Sequence, residues 1–129
     1  MCGIVGLFAK SSAVEERLGA HVAAMLAQLS DRGPDSAGVA VYHDPAPDGS
    51  SKLTLWSGEA EPAWDALAGE LATAFGRRPE PAVRANHAVL VVDAEAAEAE
   101  SWVRARHPEL RVMSAGRVIE IYKEVGRPE

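Results

Sequence analysis

Residues 1–9 have the sequence MCGIVGLFA, and residues 29–41 have the sequence LSDRGPDSAGVAV. The first stretch is short, apolar and rich in β-branched residues, which predicts a strand. The second contains the turn-forming cluster Asp31-Arg32-Gly33-Pro34, followed by a second predicted strand over residues 38–42. These two stretches therefore predict a strand, a connecting segment and a second strand at the start of an α+β fold.

The segment between these stretches has the pattern of a helix. Ser12 and Glu15 have the spacing of a capping box at its start. Apolar residues then recur at helical spacing and form one stripe over about four turns. They are Val14, Leu18, Val22, Met25, Leu26 and Leu29. We therefore predict one continuous helix that stops before Asp31.

A predicted hairpin and a second helix follow. Residues 43–52 are polar and rich in proline, aspartate and glycine, which is typical of a hairpin loop. Residues 53–56 are then predicted to return as a strand. Pro62 is predicted to be the first residue of a helix, and Gly76 is predicted to end it. The predicted core stripe of this helix consists of Trp64, Leu67, Leu71 and Phe75.

Residues 82–124 are predicted to form a small α+β unit with local strand pairing. Its predicted elements are a strand at 88–92, a helix capped by Asp93 that runs to Arg106, and strands at 110–113 and 118–123 turned at Ala115-Gly116. We therefore divide the chain into residues 1–81 and an inserted unit with its exit linker at 82–129.

Composition excludes several classes of protein. Of the 129 residues, 47% are apolar and 25% are charged, as expected for one folded domain. The net charge of −6 argues against a general nucleic-acid binder, which usually has a basic face. The apolar runs are far shorter than the roughly 18 residues that span a bilayer, and no secretory signal is visible. We expect a cytoplasmic protein with no nucleic-acid partner and no membrane partner.

Cys2 is the first candidate for chemistry. Removal of Met1 gives it both a thiol and a free α-amine, with ordinary pKa values of about 8.5 and 7.7. The amine can act as general base for the thiol of the same residue, and Gly3 allows the backbone to approach a substrate closely. The alternative is a buried free cysteine on a terminal strand. Because there is one cysteine and the histidines are scattered, we expect no metal and no cofactor.

The loop at residues 32–38 is the second candidate. Arg32 supplies a fixed cation that can bind a substrate, and Asp35 can accept hydrogen bonds from backbone amides or hold Arg32. The alternative is an ordinary connection between helix and strand, with a solvated ion pair.

The two motifs together closely resemble those of the class II glutamine amidotransferases, which are N-terminal-nucleophile enzymes. Pro34 and the stretch IEIYKEVGRP at residues 119–128 resemble the glutamate-synthase-related branch, which includes the amidotransferase-like subunit of methylamine–glutamate N-methyltransferase. The resemblance is specific over residues 1–42, weak over 43–81 and moderate beyond. It implies an αββα sandwich and a Cys2 nucleophile that attacks the side-chain amide of glutamine and releases ammonia for a partner domain or subunit.

Two motifs of that family are missing from this sequence. There is no His-Thr-Arg stretch for the substrate carboxylate, and Asn86 is followed by His87 rather than by the glycine of an oxyanion-binding pair. We therefore expect an incomplete sandwich that is nearly inactive alone. Apolar faces that include Val5, Leu7 and residues 39–41 would be covered by a completing C-terminal segment or a synthase subunit.

Two alternatives stay open. One is a non-catalytic binding or regulatory fragment of the same fold. The other is a redox-sensing thiol protein, in which Cys2 is oxidised reversibly to a sulfenate or a mixed disulfide.

Overall fold

The computed structural model describes residues 2–127 and has an α+β fold. Its elements are α1 (Ser12–Glu15), α2 (Leu18–Ala27), a 3₁₀ turn (Ser30–Arg32), β1 (Ser36–Tyr42), β2 (Ser51–Trp56), α3 (Trp64–Phe75), β3 (Ala82–Arg84), β4 (His87–Val92), α4 (Ala96–Arg106), β5 (Arg111–Gly116) and β6 (Ile119–Val125). They form two compact units, one of residues 39–122 and one of residues 2–38 with 123–127. Within residues 2–127 no helix is long and apolar enough to cross a membrane.

The larger unit is built on a four-stranded antiparallel sheet in the order β3-β4-β2-β5. Successive side chains of a strand point to opposite faces, so β2 directs Leu53 and Leu55 to one face and Lys52, Thr54 and Trp56 to the other. The helices α3 and α4 pack on the leucine face. The buried core there consists of Leu53, Leu55, Trp64, Leu67, Ala68, Leu71, Ala88, Leu90, Val92, Ala94, Ala99 and Val103.

The predicted helix exists as α3, but it begins at Trp64 with Ala63 as its N-cap, so the prediction of Pro62 as its first residue is wrong. The predicted core stripe is confirmed. Trp64, Leu67 and Leu71 are buried, and Phe75 packs at the edge of the core. Gly76 adopts the left-handed conformation (φ 89°), and its N–H donates to the Ala72 carbonyl at 2.9 Å. Glycine tolerates this conformation without a Cβ clash, so it ends the helix as the sequence predicts.

The predicted hairpin of residues 38–42 with 53–56 is wrong. Both edges of β2 are occupied, one by β4 and the other by β5, so β1 has no edge of β2 to pair with. Instead β1 pairs with β6 in a separate two-stranded sheet. The intervening loop is held at Ala46, whose N–H donates to the Arg117 carbonyl at 2.7 Å and whose carbonyl accepts from the Arg117 guanidinium.

The strands predicted within residues 82–124 exist, but they do not pair locally. β2 lies between β4 and β5, so the compact unit begins at residue 39 and not at residue 82. Ala115 and Gly116 are not a turn, because they pair with Leu53 and Lys52 as part of β5. The assignment of residues 1–81 to an amidotransferase domain stays a prediction.

Asp93 is not the cap of α4, because Glu95 occupies the N-cap position. The Asp93 carboxylate instead accepts hydrogen bonds from the Ser50 hydroxyl and the Arg77 guanidinium, both at 2.7 Å. Asp93 therefore joins the loop before β2 to the segment that follows α3.

The smaller unit departs most from prediction. Residues 2–10 form neither strand nor helix, and no strand in the described part of the chain pairs with them. A strand needs a partner for its backbone N–H and C=O groups, so the apolar pattern alone does not produce one here. The helix is interrupted at residues 16–17, and its N-cap is Ser11 without a side-chain hydrogen bond, so the predicted capping box of Ser12 and Glu15 is wrong.

Candidate functional site

Cys2 lies at the start of the irregular segment 2–10, and its free thiol is exposed. The alternative of a buried cysteine on a terminal strand is therefore wrong. An exposed thiol is accessible to a substrate or an electrophile, which nucleophilic and redox chemistry both require.

Gly3 is a position of close approach. A Cβ built on Gly3 would lie 3.1 Å from Leu29 Cδ1 and 3.2 Å from Leu29 Cδ2, which is closer than ordinary van der Waals contact. The backbone next to Cys2 therefore packs directly on the side chain that follows α2. The sequence analysis predicts close approach of Gly3 to a substrate, which is a different contact and stays a prediction.

The loop after α2 is organised by its backbone. Ser30 is buried, and its hydroxyl donates to the carbonyl of Ala27, the last residue of α2, at 2.9 Å. The Arg32 N–H donates to the Leu29 carbonyl at 2.9 Å and closes the 3₁₀ turn. The carbonyl of Asp35 accepts the Gly126 N–H at 2.9 Å, and so joins the start of β1 to the end of β6. Arg32 is exposed. Cys2, Arg32 and Asp35 belong to the same compact unit, and their action in one site stays a prediction.

A cluster in the larger unit centres on the Glu120 carboxylate, and the sequence analysis did not predict it. Oε1 accepts from Lys52 Nζ at 2.7 Å and lies 3.1 Å from His43 Nε2, while Oε2 accepts from the Tyr122 hydroxyl at 2.7 Å. Lys52 Nζ also donates to the His43 carbonyl at 2.9 Å. The side chains of Lys52 and Glu120 are 6% and 10% exposed, so this ion pair is nearly buried.

Burial and hydrogen bonding act in opposite directions on the pKa values of this cluster. Desolvation raises the pKa of Glu120. The opposite effect is larger, because the carboxylate interacts with the charge of Lys52 and has hydrogen bonds from Lys52, Tyr122 and His43. The pKa of Glu120 therefore lies below its usual range. Burial and the hydrogen bond to the Glu120 carboxylate raise the pKa of Tyr122 to about 12. Glu120 is therefore a carboxylate and Tyr122 a neutral donor at neutral pH.

One sequence signal for this cluster was available. Lys52 is the second residue of β2 and lies two residues before Thr54 on the face opposite Leu53 and Leu55. Once a lysine on this face is buried, it needs an anion. The anion itself is far away in sequence, so only the tertiary structure identifies Glu120.

A cleft of about 280 Å³ lies beside α3 and is lined on one side by Trp64 and Leu67. His107 lies on its rim, with Nε2 3.1 Å from Glu70 and Nδ1 3.1 Å from Glu109. Nowhere in residues 2–127 do three or more histidine, cysteine or acidic side chains have the arrangement of a metal site.

Comparison with known proteins finds a relative that aligns with the whole chain. No protein-family model matches the chain, and no solved structure matches it. Over 130 aligned residues, which cover all of the chain, it is 44% identical to the glutamine amidotransferase-like protein GlxB of Rhizobium meliloti (strain 1021). The chain spans 42% of the length of that protein. This similarity supports a glutamine amidotransferase-like family for the chain.

Proposed function

We propose that this chain is the nucleophile-bearing part of a class II glutamine amidotransferase. The observation that carries the proposal is the 44% identity, along the entire chain, to a glutamine amidotransferase-like protein. The exposed thiol of Cys2 supports it, because this residue is the nucleophile that the amino-terminal motif implies.

The proposed chemistry begins with removal of Met1. The α-amine of Cys2 takes the thiol proton, and the thiolate attacks the side-chain amide carbon of glutamine to form a tetrahedral oxyanion. The oxyanion collapses as the protonated amine gives its proton to the leaving nitrogen, so ammonia departs and a γ-glutamyl thioester forms. Water then hydrolyses the thioester to glutamate and regenerates the thiol. The ammonia passes to an acceptor on another domain or subunit.

The remainder of the site is proposed to come from a completing segment or a synthase subunit. The chain spans less than half the length of its relative, and it lacks the His-Thr-Arg and Asn-Gly stretches that the resemblance implies. Loss of one oxyanion donor typically costs about 10²–10³ in rate. We therefore expect the 129-residue chain alone to have little glutaminase activity and to complete an N-terminal-nucleophile sandwich only with that partner.

Labelling with a diazo-ketone analogue of glutamine tests this proposal. Mass spectrometry should first show that Met1 is absent and Cys2 is the first residue. The analogue should then label Cys2 when the chain is co-expressed with the remaining part of its Rhizobium relative, and much more slowly when the chain is alone. Cys2→Ala is the control and should show no label.

Two results would favour the alternatives. Retained Met1 in a chain that still supports its partner as Cys2→Ala would indicate a non-catalytic binding or regulatory fragment. Reversible oxidation of Cys2 to a sulfenate, with no effect of glutamine on its rate, would indicate a redox-sensing thiol.

A further inference from the structure

The four-stranded sheet carries one row of cationic and aromatic side chains across its full width. In the strand register, Arg84 of β3 pairs with His87 of β4, His87 pairs with Trp56 of β2, and Trp56 pairs with Arg111 of β5. Residues directly opposite each other in a sheet point to the same face. These four residues, which we call the cross-strand row, therefore share the face opposite the helices.

Contacts at this face place Arg111 over the Trp56 ring and the Tyr122 ring beside His87. The guanidinium carbon of Arg111 lies 4.8 Å from the centre of the Trp56 ring. The Tyr122 ring lies 5.5 Å from the buried His87 ring, and the charge of Arg84 acts on the Tyr122 hydroxyl. Arg84 and Arg111 are exposed, while Trp56 and Tyr122 are half-buried. The surface thus has an aromatic centre flanked by two exposed guanidinium groups.

We propose that the cross-strand row is a docking surface for an acidic segment of a partner protein. Tryptophan, tyrosine and arginine are the residue types that contribute most to protein–protein binding. The cleft beside α3 does not include the row, and neither does a second cleft lined by Trp64, Pro81 and Val83. A macromolecular surface therefore fits the row better than a small ligand, which needs a concave site. The two guanidinium groups select carboxylates through paired hydrogen bonds.

The geometry of the sheet defines the spacing of those carboxylates. Neighbouring strands are about 4.8 Å apart, so the backbones that carry Arg84 and Arg111 are about 14 Å apart across three strand intervals. An extended peptide rises about 3.3 Å per residue. A segment that crosses the strands would therefore have its two acidic residues about four positions apart, with an apolar residue between them over Trp56.

The charge of the whole chain favours a short acidic segment over a nucleic acid. The chain has a net charge of −6, which repels a long polyanion and leaves only the two local cations to attract one. A segment with two carboxylates gains the local attraction with little of that repulsion. The surface does not involve Cys2, so this inference is independent of the proposed glutaminase chemistry.

A peptide titration followed by NMR tests the docking surface on the intact chain. The probe is the acetylated and amidated peptide GEALAEG, and its matched neutral control is GQALAQG. The glutamate peptide should shift the Trp56 indole N–H and the side-chain N–H signals of Arg84 and Arg111, and added salt should weaken the effect. Arg84→Gln and Arg111→Gln should each weaken binding about threefold to tenfold.

Arg104→Gln is the matched control variant, because Arg104 is an exposed arginine of α4 that pairs with Glu100. It should bind the glutamate peptide as the parent does. The proposal is wrong if the glutamine peptide binds equally well, if Arg104→Gln loses as much affinity as Arg111→Gln, or if millimolar glutamate peptide shifts none of the three signals. Tighter binding of a short oligothymidine than of the peptide would also overturn it in favour of a nucleic-acid surface.

Discussion

At the scale of single residues, the Glu120 carboxylate is the centre of a nearly buried polar cluster in the larger unit. The carboxylate receives hydrogen bonds from Lys52 and Tyr122 and has His43 beside it, so little of its hydrogen-bonding capacity is unused. A nearly buried pair of this kind adds little net stability when both partners are present, but loss of one partner leaves the other charge uncompensated.

Glu120→Gln should therefore destabilise the chain by about 3 kcal/mol, because the buried Lys52 ammonium loses its counter-charge. The free energy of unfolding from urea titration measures the effect. Glu100→Gln is the control: Glu100 forms an exposed pair with Arg104 at helical spacing, and its loss should cost about 0.5 kcal/mol or less. Equal stability of the Glu120→Gln variant and the parent would show that Lys52 is not buried as a cation.

The Glu120 carboxylate should also make the free energy of unfolding depend on pH in the acid range. Its pKa in the folded chain lies below the ordinary value of 4.5. The folded state therefore binds a proton less readily than the unfolded state. The stabilisation is present above the ordinary pKa and is lost as the pH falls through the folded-state pKa. Urea titrations at decreasing pH should show a smaller acid-induced loss in Glu120→Gln than in the parent, and an identical loss would contradict this assignment.

Gly3 should position the proposed nucleophile. Gly3→Ala places a methyl group about 3 Å from the Leu29 side chain, which displaces the backbone beside Cys2. In the completed enzyme, labelling by the glutamine analogue should slow about tenfold, since small misplacements of a reacting group are costly. Iodoacetamide should react with the exposed thiol at an unchanged rate.

A second substitution tests whether Gly3→Ala slows labelling by displacing the backbone beside Cys2 or by a general loss of folding. Leu29→Ala removes the atoms that the new methyl group meets, so the double variant Gly3→Ala/Leu29→Ala should recover most of the labelling rate. No recovery in the double variant would mean that Leu29 does not determine the position of Cys2.

At the scale of elements, β2 is the centre of the larger unit. It pairs with β4 on one side and β5 on the other, and its leucines lie beneath α3 and α4. Its two faces differ in chemistry: one contributes to the apolar core, and the other carries Lys52 of the Glu120 cluster and Trp56 of the cross-strand row.

Leu53→Ala should destabilise the chain by about 3 kcal/mol. Leu53 is fully buried and pairs with Leu90 and Ala115, so its truncation leaves a cavity at the middle of the sheet. Thermal and urea unfolding followed by circular dichroism measure the loss. Val125→Ala is the control: Val125 is also on a strand but is 89% exposed, and the change should be within about 0.5 kcal/mol. If Leu53→Ala and Val125→Ala lost similar stability, Leu53 would not belong to the main hydrophobic core.

At the scale of the whole molecule, the apolar surface is distributed unevenly. Ile4 and Phe8 are 96% and 83% exposed, whereas the leucines of β2 and β4 are completely buried. Large exposed apolar patches mark interaction surfaces, and residues 4–8 contribute apolar side chains to the surface of the smaller unit. The proposed completing segment is the partner that would cover them.

Hydrogen exchange should distinguish the buried strands of the larger unit from residues 3–8. Amides of β2 and β4 should exchange most slowly, because they lie inside a four-stranded ladder over a buried core. Amides of residues 3–8 should exchange fastest and become protected when the completing segment binds. If residues 3–8 were already as protected as β4 in a monomer of this chain, the hypothesis of an incomplete domain would be wrong.

Local patterns in the sequence predicted most elements of the larger unit, although not β3. The stripe of α3, its glycine end and the apolar runs of β2 and β4 are signals within a few residues, and the structure contains each of them. The amino-terminal motif also singled out Cys2 and predicted a glutamine amidotransferase, which the similarity to GlxB supports. The catalytic role of Cys2 stays a prediction.

Only the tertiary structure decided which strands pair and which polar groups meet. An apolar run becomes a strand when another strand satisfies its backbone, and residues 2–10 have no such partner among the described residues, whereas β2 has two. Lys52 and Glu120 are far apart in sequence and meet through the path of β6, whereas the strand register places Arg84 and Arg111 in one row on the same face of the sheet. Strand register depends on burial and on hydrogen bonds between residues far apart in sequence. A short stretch of the chain therefore cannot determine which strands pair.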